Sequence, residues 1–235
     1  MSLVGKLANQ LQGAVESFFP SWSHRRQRAK WERQWADPEY NPFWKTEKPQ
    51  KELIEAINSG WFPKGQLVID VGCGKGEVSR WLAEQAFPVL GIDYSTAAIE
   101  NCRRLCAHQG KAIEFEVADL CDKDLRLPTA PSLIDRGCFH RIPDNFRPSY
   151  ARNLARATAS EGHFLLLCGT FQHPRFKNYR GARSEPKLKQ HISSTFGPYF
   201  SIERAEPAVI NANQEQEAMP AIAFWMVRKT NAPAD

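Results

Sequence analysis

A chain of 235 residues, 42% hydrophobic and 24% charged, has the size and composition of one globular α/β domain with an N-terminal extension, too short for two comfortable domains. No stretch approaches the roughly 20 apolar residues of a membrane span, and the first residues lack a continuous apolar segment of signal-peptide length, which predicts a cytoplasmic protein. The net charge is +5, and six cysteines (Cys73, Cys102, Cys106, Cys121, Cys138 and Cys168) show neither C-x-x-C pairing nor zinc-ligand spacing with histidine, so free thiols and no metal are expected.

Leu3, Leu7, Leu11 and Val15, followed by Phe18, recur at helical spacing before Pro20 and predict a short amphipathic helix that packs on the domain, self-associates or lies on a membrane surface. The basic block His24-Arg25-Arg26-Gln27-Arg28-Ala29-Lys30 either touches nucleic acid or anionic lipid, or is the solvated face of a helix. Trp31 and Trp35, spaced i, i+4, give that helix an aromatic stripe to bury and favour the second reading. Pro38, Pro42 and Pro49 then break the chain into a loop bearing Tyr40, Phe43 and Trp44, and Glu52 to Asn58 reads as a helix stopped by Ser59-Gly60.

From there strands and helices alternate. Strand one is Leu67–Val71, followed by a helix over Glu77–Ala86 with Val78, Trp81 and Leu82 on one face. Strand two is Val89–Asp93, and its helix, opened by Ser95, carries Ala98, Cys102, Leu105 and Cys106. Strand three is Ile113–Val117; Ser132-Leu133-Ile134 is a short strand four after the Pro128 and Pro131 loop. Pro143-Asp144 opens a helix with Phe146, Tyr150 and Leu154 in line, and the apolar run His163–Cys168 is a buried strand five. His173, Arg175, Lys177, Tyr179 and Arg180 form a polar loop, read either as solvated or as a clamp for an anionic acceptor. Tyr199–Arg204, extending toward Ile210, and Ala221–Lys229 should close the sheet as a β pair with no helix between them. The pattern predicts an α/β fold: a doubly wound, mostly parallel seven-stranded sheet with its last strand antiparallel, helices on both faces and an N-terminal helical extension. Residues 1–50 are expected to form a helical and aromatic cover segment, and residues 51–235 the Rossmann-like domain.

The chemistry concentrates at Leu67–Gly76, where an apolar strand runs into Asp70 and then three glycines at alternate positions. Such glycines let the backbone turn tightly and let a ligand lie on the main chain, at the positive end of the following helix. The spacing is not the dinucleotide fingerprint, because Glu77 stands where that pattern wants Gly; Lys75 is followed by Gly76, so it is no P-loop either. A zwitterionic cofactor fits better: Asp70 attracts an ammonium group, the glycine amides face a carboxylate, and Asp93 at the end of strand two is placed to hold a ribose diol. S-adenosylmethionine has these groups.

D-V-G-C-G-K-G at Asp70–Gly76, G-I-D-Y-S at Gly91–Ser95, V-A-D-L at Val117–Leu120 and D-R-G-C-F-H at Asp135–His140 resemble the successive motifs of class I S-adenosylmethionine-dependent methyltransferases. The last run, with the aromatic N-terminal approach, most resembles the thiopurine-methyltransferase-like branch, which acts on small molecules. This resemblance implies that Asp70, Gly72, Cys73 and Gly74 line the methionine part, Asp93 takes the ribose hydroxyls and Tyr94 packs on the adenine. It further implies that Asp119 accepts from the adenine amino group with the Leu120 amide beside it, and that Arg136 and Gly137 close over the methionyl portion. Trp31, Trp35, Tyr40, Phe43 and Trp44 would cover the crevice mouth, where a dry aromatic pocket favours in-line displacement on the sulfonium methyl, giving S-adenosylhomocysteine. Phe139 is a candidate either for substrate stacking or for packing, and His140 either for a general base or for a loop-shaping hydrogen bond to backbone. The Asp135 run is not the Asp/Asn-Pro-Pro-aromatic motif, so a flipped-base substrate loses weight. The expected activity is methyl transfer to a small-molecule thiol, phenol or similar nucleophile. The alternatives are an RNA or protein methyltransferase recruited by the basic N-terminus, or a non-catalytic cofactor-binding or membrane-surface protein.

Overall fold

The computed structural model describes residues 20–42, 44–45, 49–107, 113–170, 184–210 and 219–232. Strands β1 (Val68–Val71), β2 (Val89–Asp93), β3 (Ile113–Val117), β4 (Ala130–Arg136) and β5 (Thr158–Gly169) pair in parallel; β7 (Pro220–Arg228) runs antiparallel between β5 and β6 (Phe200–Val209). The resulting order, β3-β2-β1-β4-β5-β7-β6, reverses direction between β1 and β4, where open α/β sheets form their ligand crevice.

Six helices accompany the described strands: α1 (Pro20–Ala36), α2 (Lys51–Asn58), α3 (Glu77–Glu84), α4 (Thr96–Cys106), α5 (Arg147–Ala157) and α6 (Glu185–Phe196). Period-2 alternation in β5 divides the core between the two sheet faces. Phe164 and Leu166 pack with Tyr150 and Leu154 of α5 and with Leu188, Ile192 and Phe196 of α6. Leu165 and Leu167 pack on the other face with Leu53 and Ile57 of α2 and with Val78 and Leu82 of α3. A smaller cluster joins Ile99 and Cys102 of α4 to Phe115 of β3. All six cysteines are free thiols, and no helix of the described residues is long and apolar enough to cross a membrane.

Several boundaries move. β4 spans seven residues and β5 twelve, because β5 pairs with both β4 and β7 and continues the ladder past the apolar run. The second strand and third strand end where expected; α3 stops at Glu84, with Ala86 at φ 64° reversing the chain. Phe146 lies in a 3₁₀ turn before α5 rather than in the helix. Helix α6 was not read from the sequence, although Pro186 at its start and Leu188, Ile192 and Phe196 at i, i+4, i+8 are its signature. The Leu3–Phe18 helix, Phe43 and the polar loop bearing His173 to Arg180 lie outside the described residues.

The loop leaving β4 is held by one fully buried carboxylate. Asp135 accepts the amides of Cys138 (2.7 Å) and Phe139 (2.9 Å) and the Tyr150 hydroxyl of α5 (2.6 Å). Replacing it with alanine strands three buried donors, so Asp135→Ala should cost more than about 2 kcal/mol. That is a fall in Tm of roughly 4–8 °C or more for a chain of this size, measurable by differential scanning calorimetry. An unchanged Tm would refute the assignment.

Candidate functional site

β1 delivers Asp70 to the carboxyl edge of the sheet, and the chain then turns through Gly72 (φ 67°) and Gly74 (φ 56°) into α3. Both turns are close approaches as well as left-handed backbone. A Cβ on Gly72 would stand 2.5 Å from Cys138 Cβ in the β4 loop, and one on Gly74 would stand 3.2 Å from the Trp35 ring. Glycine is required where two loops and an indole meet on bare main chain.

A cleft of about 1020 Å³, including its open mouth, lies over the ends of β1, β2 and β4 under helix α1. Its lining, largely apolar and aromatic with a few convergent polar groups, is that of small-molecule and cofactor sites. The structure brings to its wall Asp70, Gly72, Cys73, Gly74, Asp93, Tyr94, Leu120, Arg136, Gly137 and His140, together with Trp31, Trp35 and Trp44. α1 reaches it because its two faces differ: Arg25, Arg26, Arg28 and Lys30 are exposed, while His24, Gln27, Trp31 and Trp35 turn inward. Glu32 on α1 accepts from Ser95 Oγ (2.6 Å) and the Ala97 amide (3.1 Å), and Asn101 of α4 donates to the Trp35 carbonyl (3.0 Å), pinning the helix over the cleft.

The wall is electrostatically graded. Burial pushes the Asp70 carboxyl up to about 7, against the Ser79 hydroxyl that donates to it at 2.5 Å and the charge of Arg136. Burial also raises Asp93 to about 6, although its oxygens accept the amides of Gly74 (3.1 Å) and Ser95 (2.9 Å). Asp70 therefore has the fewest donors and the greatest need of a cation. Arg136, lowered by burial and supported by the charges of Glu77 and Asp70, donates to the Trp44 carbonyl (2.7 Å) and ties the aromatic loop to β4. Acid, cation and glycine backbone within one cleft suit a zwitterion, and Asp93 at the end of β2 suits a diol; the residues present fit S-adenosylmethionine.

Four expected site residues stand elsewhere or act differently. Asp119 is not on the cleft wall: its Oδ2 accepts from His24 Nε2 (2.8 Å) and Arg28 (3.2 Å), and its Oδ1 accepts the Cys121 amide. Burial works to raise its carboxyl, but those hydrogen bonds, that of His24 first, and the charge of Arg28 outweigh it and hold it below the usual range. Phe139 is a core residue, because the Asp135 staple turns the β4 loop into a 3₁₀ turn that aims the ring at Phe196 (5.0 Å) and under Arg147 (4.8 Å). Tyr40 buttresses the cover instead of lining the cleft, with its ring edge-on to Trp35 (5.3 Å) and its carbonyl accepting from Lys75 (2.8 Å). At His140 burial, then the charges of Arg141 and Arg147, hold the ring well below its ordinary pKa, and Nδ1 accepts the Gly169 amide at 3.1 Å. The ring proton therefore sits on Nε2, making His140 a donor, not a base. Of its two readings, the geometry matches the backbone-bonded one.

The structure also adds wall residues that the sequence did not single out for the cleft: His24, Gln27, Arg141, Ile210 and Met219. His24 and Gln27 carried a faint signal, lying on the Trp31 face of the basic helix. Ile210 and Met219 reach the cleft because β6 ends and β7 begins at the same edge of the sheet at which β4 and β5 end, which no local pattern encodes.

Comparison with known proteins follows the same lines. Residues 68–162 match the methyltransferase domain family. The 2-heptyl-1-hydroxyquinolin-4(1H)-one methyltransferase of Mycobacteroides abscessus is 29% identical over 179 residues, 73% of this chain and 74% of that protein. Among solved structures, a protein of echinomycin biosynthesis described as converting a disulfide bond into a thioacetal group superposes with TM-score 0.63 at 24% identity, covering 81% of this chain and 87% of that one. Magnesium protoporphyrin IX methyltransferase from Synechocystis PCC 6803, with SAH bound, superposes with TM-score 0.59 at 19% identity, over 92% and 99% of the two chains.

The raised acids set a pH dependence. An acid whose folded pKa lies above its unfolded value, 3.8 for Asp70, binds more protons folded than unfolded between the two. Unfolding free energy therefore falls as pH rises from about 4 to about 7. Cofactor affinity should move oppositely, because an ammonium group favours the ionised Asp70. Isothermal titration with S-adenosylmethionine should show Kd falling about tenfold from pH 6 to pH 8, with the slope flattened in Asp70→Asn. A pH-independent Kd would remove Asp70 from the ammonium site.

Proposed function

Because the chain is an S-adenosylmethionine-dependent methyltransferase of class I, we propose that it methylates a small, planar aromatic molecule at an acidic hydroxyl or thiol that binds as the anion. One observation carries the reading. On the cleft wall the Trp31 and Trp44 indoles stand edge to face (5.7 Å, 72°), with the Arg141 guanidinium 5.7 and 5.5 Å from their centroids. Ile210 and Met219 add an apolar wall. Flat indoles receive a flat ring, apolar side chains receive an apolar body, and Arg141 receives a negative oxygen or sulfur. The relative from Mycobacteroides abscessus is named for a substrate that joins these features: a hydroxyl on the nitrogen of a fused ring that carries a heptyl chain. Resemblance of Asp135–His140 to the thiopurine-methyltransferase-like branch also favours a small acceptor.

The cofactor, when bound, supplies an activated methyl group on a sulfonium. Asp70, Gly72, Cys73, Gly74, Arg136 and Gly137 are proposed to hold its methionyl part, Asp93 its ribose, and Tyr94 and Leu120 its base. The chain's own contribution at the acceptor is alignment and exclusion of water: orientation of this kind lowers barriers by roughly 7–11 kcal/mol in favourable cases. Residues 1–50 act as the cover and residues 51–235 as the catalytic domain. No side chain need remove a proton, because an acceptor held against the Arg141 cation arrives ionised.

A methyl-transfer assay with labelled S-adenosylmethionine against phenols, N-hydroxy heteroaromatics, thiols, RNA and protein tests the acceptor class. In Arg141→Met the KM of an acidic hydroxyl acceptor should rise tenfold or more, as expected when a charged hydrogen bond of about 1.5–3 kcal/mol is lost. Cofactor Kd should be unchanged. Transfer to RNA or protein with none to any small molecule would refute the proposal.

A further inference from the structure

The carboxylate that the family resemblance assigns to the adenine amino group does not face the cleft. Between Asp119 and the cavity stands His24 of α1, a cleft-wall residue only 8% exposed. Its ring lies face to face with Phe146 (4.4 Å, 28°) and edge-on to Tyr94 (6.4 Å, 75°), and its Nε2 is 2.8 Å from Asp119 Oδ2. A carboxylate accepts only, so Nε2 is the donor, and in the neutral ring Nδ1 is left as an acceptor. That Nδ1 is buried and has no hydrogen-bond partner among the described residues. Seven buried side-chain atoms lack a partner among the described residues, and His24 Nδ1 is the one of them that belongs to a cleft-wall residue, where a ligand N–H would satisfy it.

Arg28, one turn further along α1, fixes the same carboxylate at 3.2 Å and stands 5.6 Å from the Tyr94 ring. Cys121 brings a third metal-type donor within 4.8 Å of His24 and Asp119. With the Arg28 cation already on the Asp119 oxygen, however, the cluster is arranged as a hydrogen-bond relay. The chain of contacts runs Arg28, Asp119, His24 and then the cleft, beside Tyr94.

We propose that His24 Nδ1, not Asp119, accepts the exocyclic amino group of the cofactor's adenine, and that Asp119 is a positioning residue that fixes the tautomer and tilt of the imidazole. The inference rests on the assignment of the Tyr94–Leu120 end of the cleft to the base. It makes the N-terminal helix part of the cofactor site: α1 reads the base with His24 while covering the glycine turn with Trp35. A site built to pair one amino group discriminates strongly against an analogue that lacks it.

Isothermal titration of the full chain with S-adenosylhomocysteine and with S-inosylhomocysteine, whose ring carries a carbonyl in place of the amino group, tests this. Wild type should bind the adenine compound at least tenfold more tightly. His24→Ala should weaken that binding at least fivefold and bring the ratio of the two affinities to within twofold of one. His24→Asn, which keeps an acceptor near the Nδ1 position, should retain part of the discrimination. Asp119→Ala should lower the ratio in the wild-type background and change nothing further in the His24→Ala background, since a relay is non-additive. Matching Tm values across the variants exclude loss of folding as the cause. An unchanged ratio in His24→Ala, tighter binding in that variant, or an added effect of Asp119→Ala upon it would overturn the proposal. Asp93→Ala separates the two levels. If that variant binds S-adenosylhomocysteine normally, the cofactor-site assignment fails; if it loses binding while His24→Ala keeps wild-type discrimination, only the His24 inference fails.

Discussion

Three carboxylates buried at the ends of adjacent parallel strands are the constraint on which this structure turns. Asp93 on β2, Asp70 on β1 and Asp135 on β4 all lie at one edge of the sheet, because parallel strands end on the same side. Each must be matched by donors, since burial disfavours the charge. Asp135 is matched wholly by the protein and freezes the loop after β4. Asp93 is matched largely by backbone, and so fixes both the glycine turn and the start of α4. Asp70 is held by Ser79 alone, through its hydroxyl and its backbone, with Arg136 nearby, and is raised furthest of the three. The same demand for donors thus builds the walls of the cleft twice and leaves its third acid for a ligand.

Close approach is the second constraint. Gly72 meets Cys138 and Gly74 meets Trp35 at distances that no Cβ tolerates without displacement, so the β1 turn, the β4 loop and the cover helix are packed against one another. α1 is joined to this arrangement by polar contacts of its own, through Glu32, Gln27 and His24. Its basic residues face outward and its aromatic ones inward, which is how one helix of mean hydropathy too low for a core element still seats on the domain.

Much of the scaffold was legible from the chain because its signals are local. The β–α alternation, the limits of β2 and β3, and the antiparallel last strand follow from period-2 and period-3.6 patterns and from the turn residues between them. Helix α6 escaped because its three core residues sit among Lys, Gln, His and Ser, a dilute stripe in a polar context. Asp70, Gly72, Gly74 and Asp93 were legible as a group because tight turns and strand-end acids leave a spacing signature. Asp119 had the right spacing and the wrong surroundings, since a partner 95 residues away in sequence takes it; a hydrogen-bonded turn swings Phe139 into the core, the packing reading of its two.

By itself, the order of residues determined the sheet, the glycine turn and the acids at the strand ends, since each is written in neighbours that act on one another through the backbone. Only the tertiary structure decided which side chains face the cleft. His24, Arg141, Ile210 and Met219 arrive there from distant segments, and the direction of a side chain depends on what packs behind it, information that no stretch of sequence contains.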